Sequence, residues 1–243
     1  MELQTYFDND EEDNKENGVT TPPNNDPDPG PPENNKTPEA EQTNDQEISP
    51  NNGIDEQFLK DIFVESVSRI LENMIQNSAT VLNFNSLTVF DARDIPGISI
   101  YNYLRRIMAY SEATSRTIVM CLSHIDNLTN DDSSPVILTR HNIHRLLAVS
   151  MMVSAKFYED CYLDNESWGE ITGLSLFEIN RLERKFLTYI DFKINTKLDC
   201  YIQYVQMLLS YAVESNIVDY DTAGGLLQAI VDASALEFED SAN

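Results

Sequence analysis

Basic residues are scarce in this chain. Its 243 residues include 16 Lys and Arg against 41 Asp and Glu, which gives a formal net charge of −25 at pH 7. A phosphate backbone repels a protein of this charge, and the sequence lacks the basic stripe with interleaved aromatic residues that is typical of nucleic-acid-binding domains. We therefore expect no nucleic-acid partner.

Cysteines and long apolar runs are also few. Cys121, Cys161 and Cys200 are isolated, odd in number and without the spacing of metal ligands, which suits a reducing compartment. The N-terminus has no basic segment followed by an apolar run, and no stretch approaches the roughly 18 apolar residues that a membrane span needs. We expect an intracellular protein of the cytoplasm, the nucleus or both, without a membrane partner.

Motifs of catalysis and of metal or cofactor binding are missing as well. The sequence contains no Gly-rich phosphate loop, no dinucleotide fingerprint and no G-x-S-x-G. His141 and His144 are three residues apart and would share a helical face, but no third metal ligand is suggested nearby. We expect these two histidines to be capping or solvent-facing residues and His124 to be structural. We also expect the protein to be no enzyme and to hold no metal or cofactor.

Branched aliphatic residues are nearly absent from the first 50 residues. This segment instead holds 14 Asp and Glu, two Lys and many Asn and Pro, so that its net charge of −12 is nearly half of the chain's total. Such a segment cannot bury enough apolar surface to offset its chain entropy. The composition predicts a disordered, acidic, Asn- and Pro-rich tail over residues 1–53.

A helical period begins at residue 54 and continues through most of the chain. A flanking helix is predicted over residues 54–78, with Asp55 as its N-cap and an apolar stripe of Phe58, Ile62, Phe63, Val67, Ile70, Leu71, Met74 and Ile75. After an irregular connector, helices are predicted to begin near Ser99 and near Thr114, and another is predicted at 139–158. A short turn or helix is then predicted to end at Gly173, and the next helix to begin at a Ser175/Glu178 capping box. The last two helices are predicted at 197–214 and, more weakly, around Gly224-Gly225. Without a convincing strand, the pattern predicts an all-α fold of about five helices around a central one, with flanking helices at both ends.

The central helix is predicted from HNIHRLLAVSMMVSAKFYED, residues 141–160, which is apolar on nearly all sides. A helix of this kind is usually surrounded by other helices. Lys156 near its end has two interpretations, because it either extends into solvent beside the carbonyls of the last turn or belongs to a binding site. Glu183 on the next long helix is likewise either a solvated rim carboxylate or a contact residue of that site.

Three segments carry a resemblance to a known family. They are IPGISIYNYLRRI at 95–107, NIHRLLAVSMMVSAKFYEDCYLDNESWGEITG at 142–173 and LFEINRLERKFLTYIDFKI at 176–194. In this order they resemble the PHO-type cyclins, the P/U-type group that includes the yeast phosphate-response cyclins and the plant U-type cyclins. The most specific parts are N-x-H-R-L at 142–146 with Lys156, and E-I-N-x-L-E-x-x-F-L at 178–187.

The resemblance implies a single cyclin box over residues 84–214 and a C-terminal extension at 215–243 that is too short for a second box. It also implies a regulatory subunit that forms a heterodimer with a cyclin-dependent kinase of the phosphate-response type and activates it by docking on the kinase's αC helix. The alternative is a cyclin-fold scaffold that binds a non-kinase partner without activating a kinase.

By the same resemblance, Lys156 and Glu183 match the family's paired contact residues. Phe157, Leu182 and Phe186 are then expected to supply apolar burial at the kinase-binding surface. The flanking helix at 54–78 either enlarges this interface or covers the core of the box.

Overall fold

Eight helices form the part of the chain that the structure describes. The structure is a computed structural model, and it describes residues 55–77, 87–130 and 134–240, with side chains as far as residue 234 apart from that of Asn77. The helices are α1 (Glu56–Asn77), α2 (Ile100–Ser111), α3 (Ser115–Asn130), α4 (Ile143–Tyr158), α5 (Asn165–Thr172), α6 (Leu176–Tyr189), α7 (Leu198–Glu214) and α8 (Tyr220–Asp240). Since these residues contain no strand, the predicted all-α class is confirmed. The predicted tail, residues 1–53, lies outside the described residues.

Helix α4 lies at the centre of the box. From Ile143 to Ala155 every residue except Arg145 is buried. Helices α2, α3, α5 and α6 all contact it, and a small side chain allows a close approach to α3, where Ser150 Oγ donates to the Cys121 carbonyl at 3.1 Å. Helices α2 to α6 thus form the five-helix box around a central helix that the sequence predicts.

Helix α1 covers the box from one side by packing against α2, α3 and α7. The carboxylate of Asp55 accepts hydrogen bonds from the backbone N–H groups of Gln57 and Phe58 at 3.0 and 3.1 Å, which confirms the predicted N-cap. The buried face of α1 is wider than the predicted stripe, because Leu59 and Val64 are buried as well. The predicted inward position is wrong for Phe58, which is 43 % exposed because Leu59 takes the inward position in the first turn.

Helix α4 begins at Ile143, four residues later than predicted, and the side chain of Asn142 explains the difference. Asn142 is buried and accepts a hydrogen bond from the Thr139 N–H at 2.9 Å. Its amide nitrogen donates to Asp91 at 3.1 Å and to the Ile137 carbonyl at 2.8 Å. These bonds hold the preceding residues in a turn rather than in a helix.

A tight turn joins α5 to α6. Gly173 ends α5 in the left-handed region, with a φ of 77° that favours glycine. The predicted capping box is confirmed, because Ser175 Oγ accepts from the Glu178 N–H at 3.2 Å and the Glu178 carboxylate accepts from the Ser175 N–H at 3.1 Å. The turn brings α6 back against both α4 and α5.

Helices α7 and α8 pack against each other beside the five helices α2 to α6. Helix α7 matches the predicted helix at 197–214, and it contacts α1, α3 and α8. Helix α8 extends over 21 residues in spite of Gly224 and Gly225, and it packs mainly on α7. No helix in the described part of the chain has the length and the apolarity needed to cross a bilayer.

Candidate functional site

Lys156 and Glu183 form an ion pair where α4 ends beside α6. The Nζ to Oε1 distance is 2.6 Å, and the two side chains are 25 % and 20 % exposed. Lys156 lies in the last turn of α4, and the packing of α6 against α4 brings Glu183 next to it. The two residues therefore lie on one face of the folded chain, and Lys156 does not simply extend into solvent.

Asn165 and Asn180 complete this site, and sequence reasoning assigned neither of them. The Asn165 side-chain oxygen accepts a hydrogen bond from Lys156 Nζ. Its nitrogen donates to Glu183 Oε2 at 2.8 Å and to Asn180 Oδ1 at 2.6 Å. We call Lys156, Glu183, Asn165 and Asn180 the paired-charge network. Of its two asparagines, only Asn180 lies in a motif that the sequence singles out, the E-I-N segment.

The network holds two opposite charges in a fixed position at the protein surface. An ammonium group has three N–H donors, and the bonds to Glu183 and Asn165 use two of them. A carboxylate has about four acceptor sites, of which Glu183 uses one on each oxygen in this network. The Lys156 ammonium and the Glu183 carboxylate thus both keep hydrogen-bonding capacity for a binding partner, although the two side chains are already held in position.

Exposed apolar side chains lie on the same elements as the network. Phe157, which follows Lys156, is 49 % exposed and packs edge-on against Tyr158 with ring centroids 4.8 Å apart. Tyr162 in the α4–α5 loop is 59 % exposed, and Phe177 in the first turn of α6 is 55 % exposed. Accessible aromatic rings are enriched at protein-binding surfaces.

The prediction of surface contacts is wrong for Leu182 and Phe186. They are 2 % and 0 % exposed, and Phe186 packs against Phe90 and His124 with ring centroids 6.4 and 6.5 Å apart. Because both belong to the core, they hold α6 in place from below and cannot supply contact area at the surface. Kinase contact by Lys156, Glu183 and Phe157 stays a prediction.

Glu159, just beyond the end of α4, binds the start of α3. Its carboxylate accepts from the Thr114 N–H and Oγ1 at 2.8 Å each, and also from Thr117 Oγ1. Glu56, at the start of α1, accepts from the Ser115 N–H at 2.6 Å. The first turn of α3 is thus capped by carboxylates from two other elements, one of them just beyond the end of α4.

The three histidines do not form a metal site. His144 Nε2 lies 2.9 Å from the Ile98 carbonyl and His141 Nδ1 lies 3.1 Å from the Ala92 carbonyl, and the described residues contain no group of three or more metal-ligating side chains. His144 is only 9 % exposed, so the expectation of a capping or solvent-facing role is wrong for it. His124 is structural as predicted, because its ring bridges Ser154 and the Ile194 carbonyl. Burial lowers the pKa of both His124 and His144, which favours the neutral form of both rings.

A bundle of five helices, in which four pack around the buried central helix, with a lysine and a glutamate paired where that helix ends, defines a cyclin-box domain. The family model described as Cyclin matches residues 31–194, about two thirds of the sequence, and the chain belongs to the cyclin family.

Individual relatives point to the PHO-type group, which confirms the resemblance. The chain is 32 % identical over 127 residues to the PHO85 cyclin-like protein psl1 of Schizosaccharomyces pombe, covering 52 % of each chain. It is 30 % identical over 142 residues to Cyclin-P3-1 of Oryza sativa subsp. japonica, covering 57 % of this chain and 59 % of the relative. It is 36 % identical over 110 residues to Cyclin-U3-1 of Arabidopsis thaliana, covering 45 % and 49 %. The chain thus spans about half the length of these curated relatives.

Proposed function

We propose that this chain is the regulatory subunit of a cyclin-dependent serine/threonine kinase and forms a heterodimer with it. The paired-charge network carries the proposal, because it presents Lys156 and Glu183 together on a rigid support at the surface of a cyclin box. The name of the relative from Schizosaccharomyces pombe, a PHO85 cyclin-like protein, favours a partner of the phosphate-response type. Such a heterodimer acts inside the cell, in the cytoplasm, the nucleus or both.

The network suits a docking contact with the αC helix of the kinase. Lys156 donates to backbone carbonyls of the kinase, Glu183 accepts from its N–H groups or from a basic side chain, and Phe157 supplies exposed apolar area beside them. Asn165 bonds to both charged groups and keeps them oriented while they change partners. Since the side chains are already ordered, docking costs little of their conformational entropy.

Activation follows from a preference for one kinase conformation. Docking moves αC inward, so that the kinase's own Lys–Glu pair forms and its phosphate-positioning groups are completed. To shift a kinase from 1:99 to 99:1 in favour of the active state, the cyclin must bind that state better by about 5.5 kcal/mol. A single ion pair does not provide this, so we assign the interface to the whole surface around the paired-charge network, at the end of α4 and the middle of α6.

The domain division belongs to the same proposal. Residues 84–214 form the cyclin box domain, preceded by the flanking helix at 54–78 and the acidic tail at 1–53 and followed by the C-terminal extension at 215–243. The packing of α1 against three helices supports a covering role for the flanking helix.

The test compares the tagged full-length chain with Lys156→Ala/Glu183→Ala. Both are used to recover kinases from the native cell extract, which are identified by mass spectrometry and assayed with a histone-type peptide. We expect the double variant to lose recovery by roughly 30-fold or more, since breaking a buried charged contact costs about 2–5 kcal/mol. Lys193→Ala/Asp191→Asn is the matched control, because this ion pair is 78 % and 79 % exposed and lies at the end of α6.

Two outcomes contradict the proposal. If the wild-type chain is folded by circular dichroism but recovers no active cyclin-dependent kinase, the scaffold that binds a non-kinase partner replaces the kinase activator. If the kinase is recovered equally by the wild type and both variants, the chain is a kinase subunit but the paired-charge network is not its docking site.

A further inference from the structure

Ser134 and Pro135 lie in the segment that joins α3 to α4. They form a Ser-Pro pair, and in the part of the chain that the structure describes no other serine or threonine precedes a proline. The paired-charge network does not include them, and they belong to neither of the helices that they join. Further Ser/Thr-Pro pairs fall outside the described residues, at Thr21-Pro22, Thr37-Pro38 and Ser49-Pro50.

The backbone around Ser134 is in neither a helix nor a strand. Residues 134–139 are irregular, and a residue that precedes a proline is biased toward an extended conformation. Val136 and Leu138, which are 1 % and 4 % exposed, anchor the following residues in the core, whereas Pro135 is exposed and Ser134 is partly exposed. The Ser-Pro pair is therefore presented at the surface, and a kinase reaches it without unwinding a helix.

The Ser134 hydroxyl group keeps its own proton available. Its Oγ accepts a hydrogen bond from the Val136 N–H at 3.2 Å, and no group among the described residues accepts a hydrogen bond from it. A serine hydroxyl has one donor and two acceptor lone pairs, so the proton and one lone pair remain free. A phosphoryl acceptor needs both, because the kinase removes the proton while the oxygen attacks phosphorus.

Pro135 determines which kinases can use this serine. Proline has no backbone N–H and a nearly fixed φ. Where a kinase offers no hydrogen-bond acceptor to the residue that follows the phosphorylated one, every residue except proline leaves a desolvated N–H without a partner. Kinases of this proline-directed class therefore distinguish Ser134 from the neighbouring Ser133, which precedes a serine.

The Ser-Pro pair lies far from the paired-charge network. Glu159, just beyond the end of α4, binds the start of α3, so the end of α3 and the segment that follows it lie toward the start of α4. Helix α4 begins at Ile143 and Lys156 is in its last turn, about 20 Å away at a rise of 1.5 Å per residue. A partner bound at the network therefore leaves Ser134 accessible.

We propose that Ser134 is a phosphorylation site for proline-directed serine/threonine kinases. Ser134 Oγ attacks the γ-phosphorus of ATP, the bond from that phosphorus to the β–γ bridging oxygen breaks, and ADP leaves with the electron pair. The hydroxyl proton passes to the catalytic aspartate of the kinase. The product adds a charge of about −1.5 to −2 at pH 7, close in sequence to Asp131 and Asp132. The inference does not require that this chain itself binds a kinase.

A purified kinase tests the site on the folded full-length chain. The chain is incubated with Mg²⁺, ATP and an active cyclin-dependent kinase bound to a different cyclin, and mass spectrometry assigns phosphorylation to single residues. We expect Ser134 of the wild type to be phosphorylated and Pro135→Ala to slow this reaction by roughly 10-fold or more. Ser133→Ala is the matched control, because it removes a neighbouring hydroxyl that no proline follows, and it is expected to react like the wild type.

Three results would overturn the proposal. The first is an unmodified Ser134 in the wild type while a histone-type peptide in the same mixture is phosphorylated. The second is an equal rate for the wild type and Pro135→Ala, and the third is modification of Ser134 only after the chain has been unfolded by heat. Circular dichroism before the kinase is added shows that each variant is folded.

Discussion

Gly169 lies within α5, where a glycine ordinarily weakens a helix. A Cβ atom at this position would lie 2.7 Å from the Leu174 carbonyl oxygen, a backbone atom that cannot move aside without shifting the turn into α6. The backbone carbonyl of Gly169 also accepts from the N–H groups of Gly173 and Leu174 at 2.8 and 3.0 Å. The close packing of this turn against α5 therefore requires glycine at this position.

We expect Gly169→Ala to destabilise the protein by about 1–3 kcal/mol, because the added methyl group overpacks the turn. Gly225→Ala is the matched control, since a Cβ there meets nothing within 4 Å and alanine is the better helix former. That control is expected to stabilise the protein by about 0.5–1 kcal/mol. Urea unfolding followed by circular dichroism measures both, and equal effects of the two substitutions would contradict this account of Gly169.

At the residue scale, the sequence predicts the charged residues of the site better than it predicts which apolar side chains are buried. Lys156 and Glu183 were identifiable because a charged residue is conspicuous at the end of an apolar helix or in a motif. The resemblance predicts Leu182 and Phe186 at the surface although both are buried, because an apolar stripe looks the same whether it faces a core or a partner. Asn165 was missed because its role depends on the α4–α5 loop, which brings it between the two charges.

Helix α3 shows how one element depends on its neighbours for its start. Its first-turn groups are bound by Glu159 from the end of α4 and by Glu56 from the start of α1. A carboxylate at this position satisfies backbone N–H groups and also interacts favourably with the positive end of the helix dipole. The cap therefore also ties α3 to α1 and α4.

Replacing Glu159 by alanine is expected to cost about 1–2 kcal/mol, the usual effect of losing a helix cap. Asp160→Ala removes the same charge from the next residue, which is exposed, and we expect a change of less than about 0.5 kcal/mol. Thermal and urea unfolding of the two variants give the comparison. If both substitutions have the same effect, general charge repulsion rather than the cap determines the stability at this end of α4.

At the element scale, the existence of the helices followed from the sequence, whereas some boundaries did not. The late start of α4 depends on bonds from Asn142 to Asp91, which is distant in the chain, and no local pattern reveals them. Helix α8 continues through Gly224 and Gly225 because Ala223 and Ile230 are buried. In both cases tertiary contacts outweigh local propensity.

At the scale of the whole molecule, the two flanking helices are not equivalent. Helix α1 packs against α2, α3 and α7, and Phe63, Val67 and Leu71 are completely buried. Helix α8 packs mainly on α7, with Gly224 and Gly225 on its exposed side. The folded body therefore includes α1, while α8 is attached to its edge.

Native-state hydrogen exchange distinguishes a helix within the folded body from a helix attached to its edge. We expect the amides of α1 to exchange at rates similar to those of the central helix α4, because neither helix opens without unfolding the body. The amides of α8 are expected to exchange roughly 100-fold faster or more, through a local opening that leaves α7 in place. If α1 exchanges as fast as α8, it is a peripheral helix free to engage a partner, and its burial against three helices would not describe a stable part of the fold.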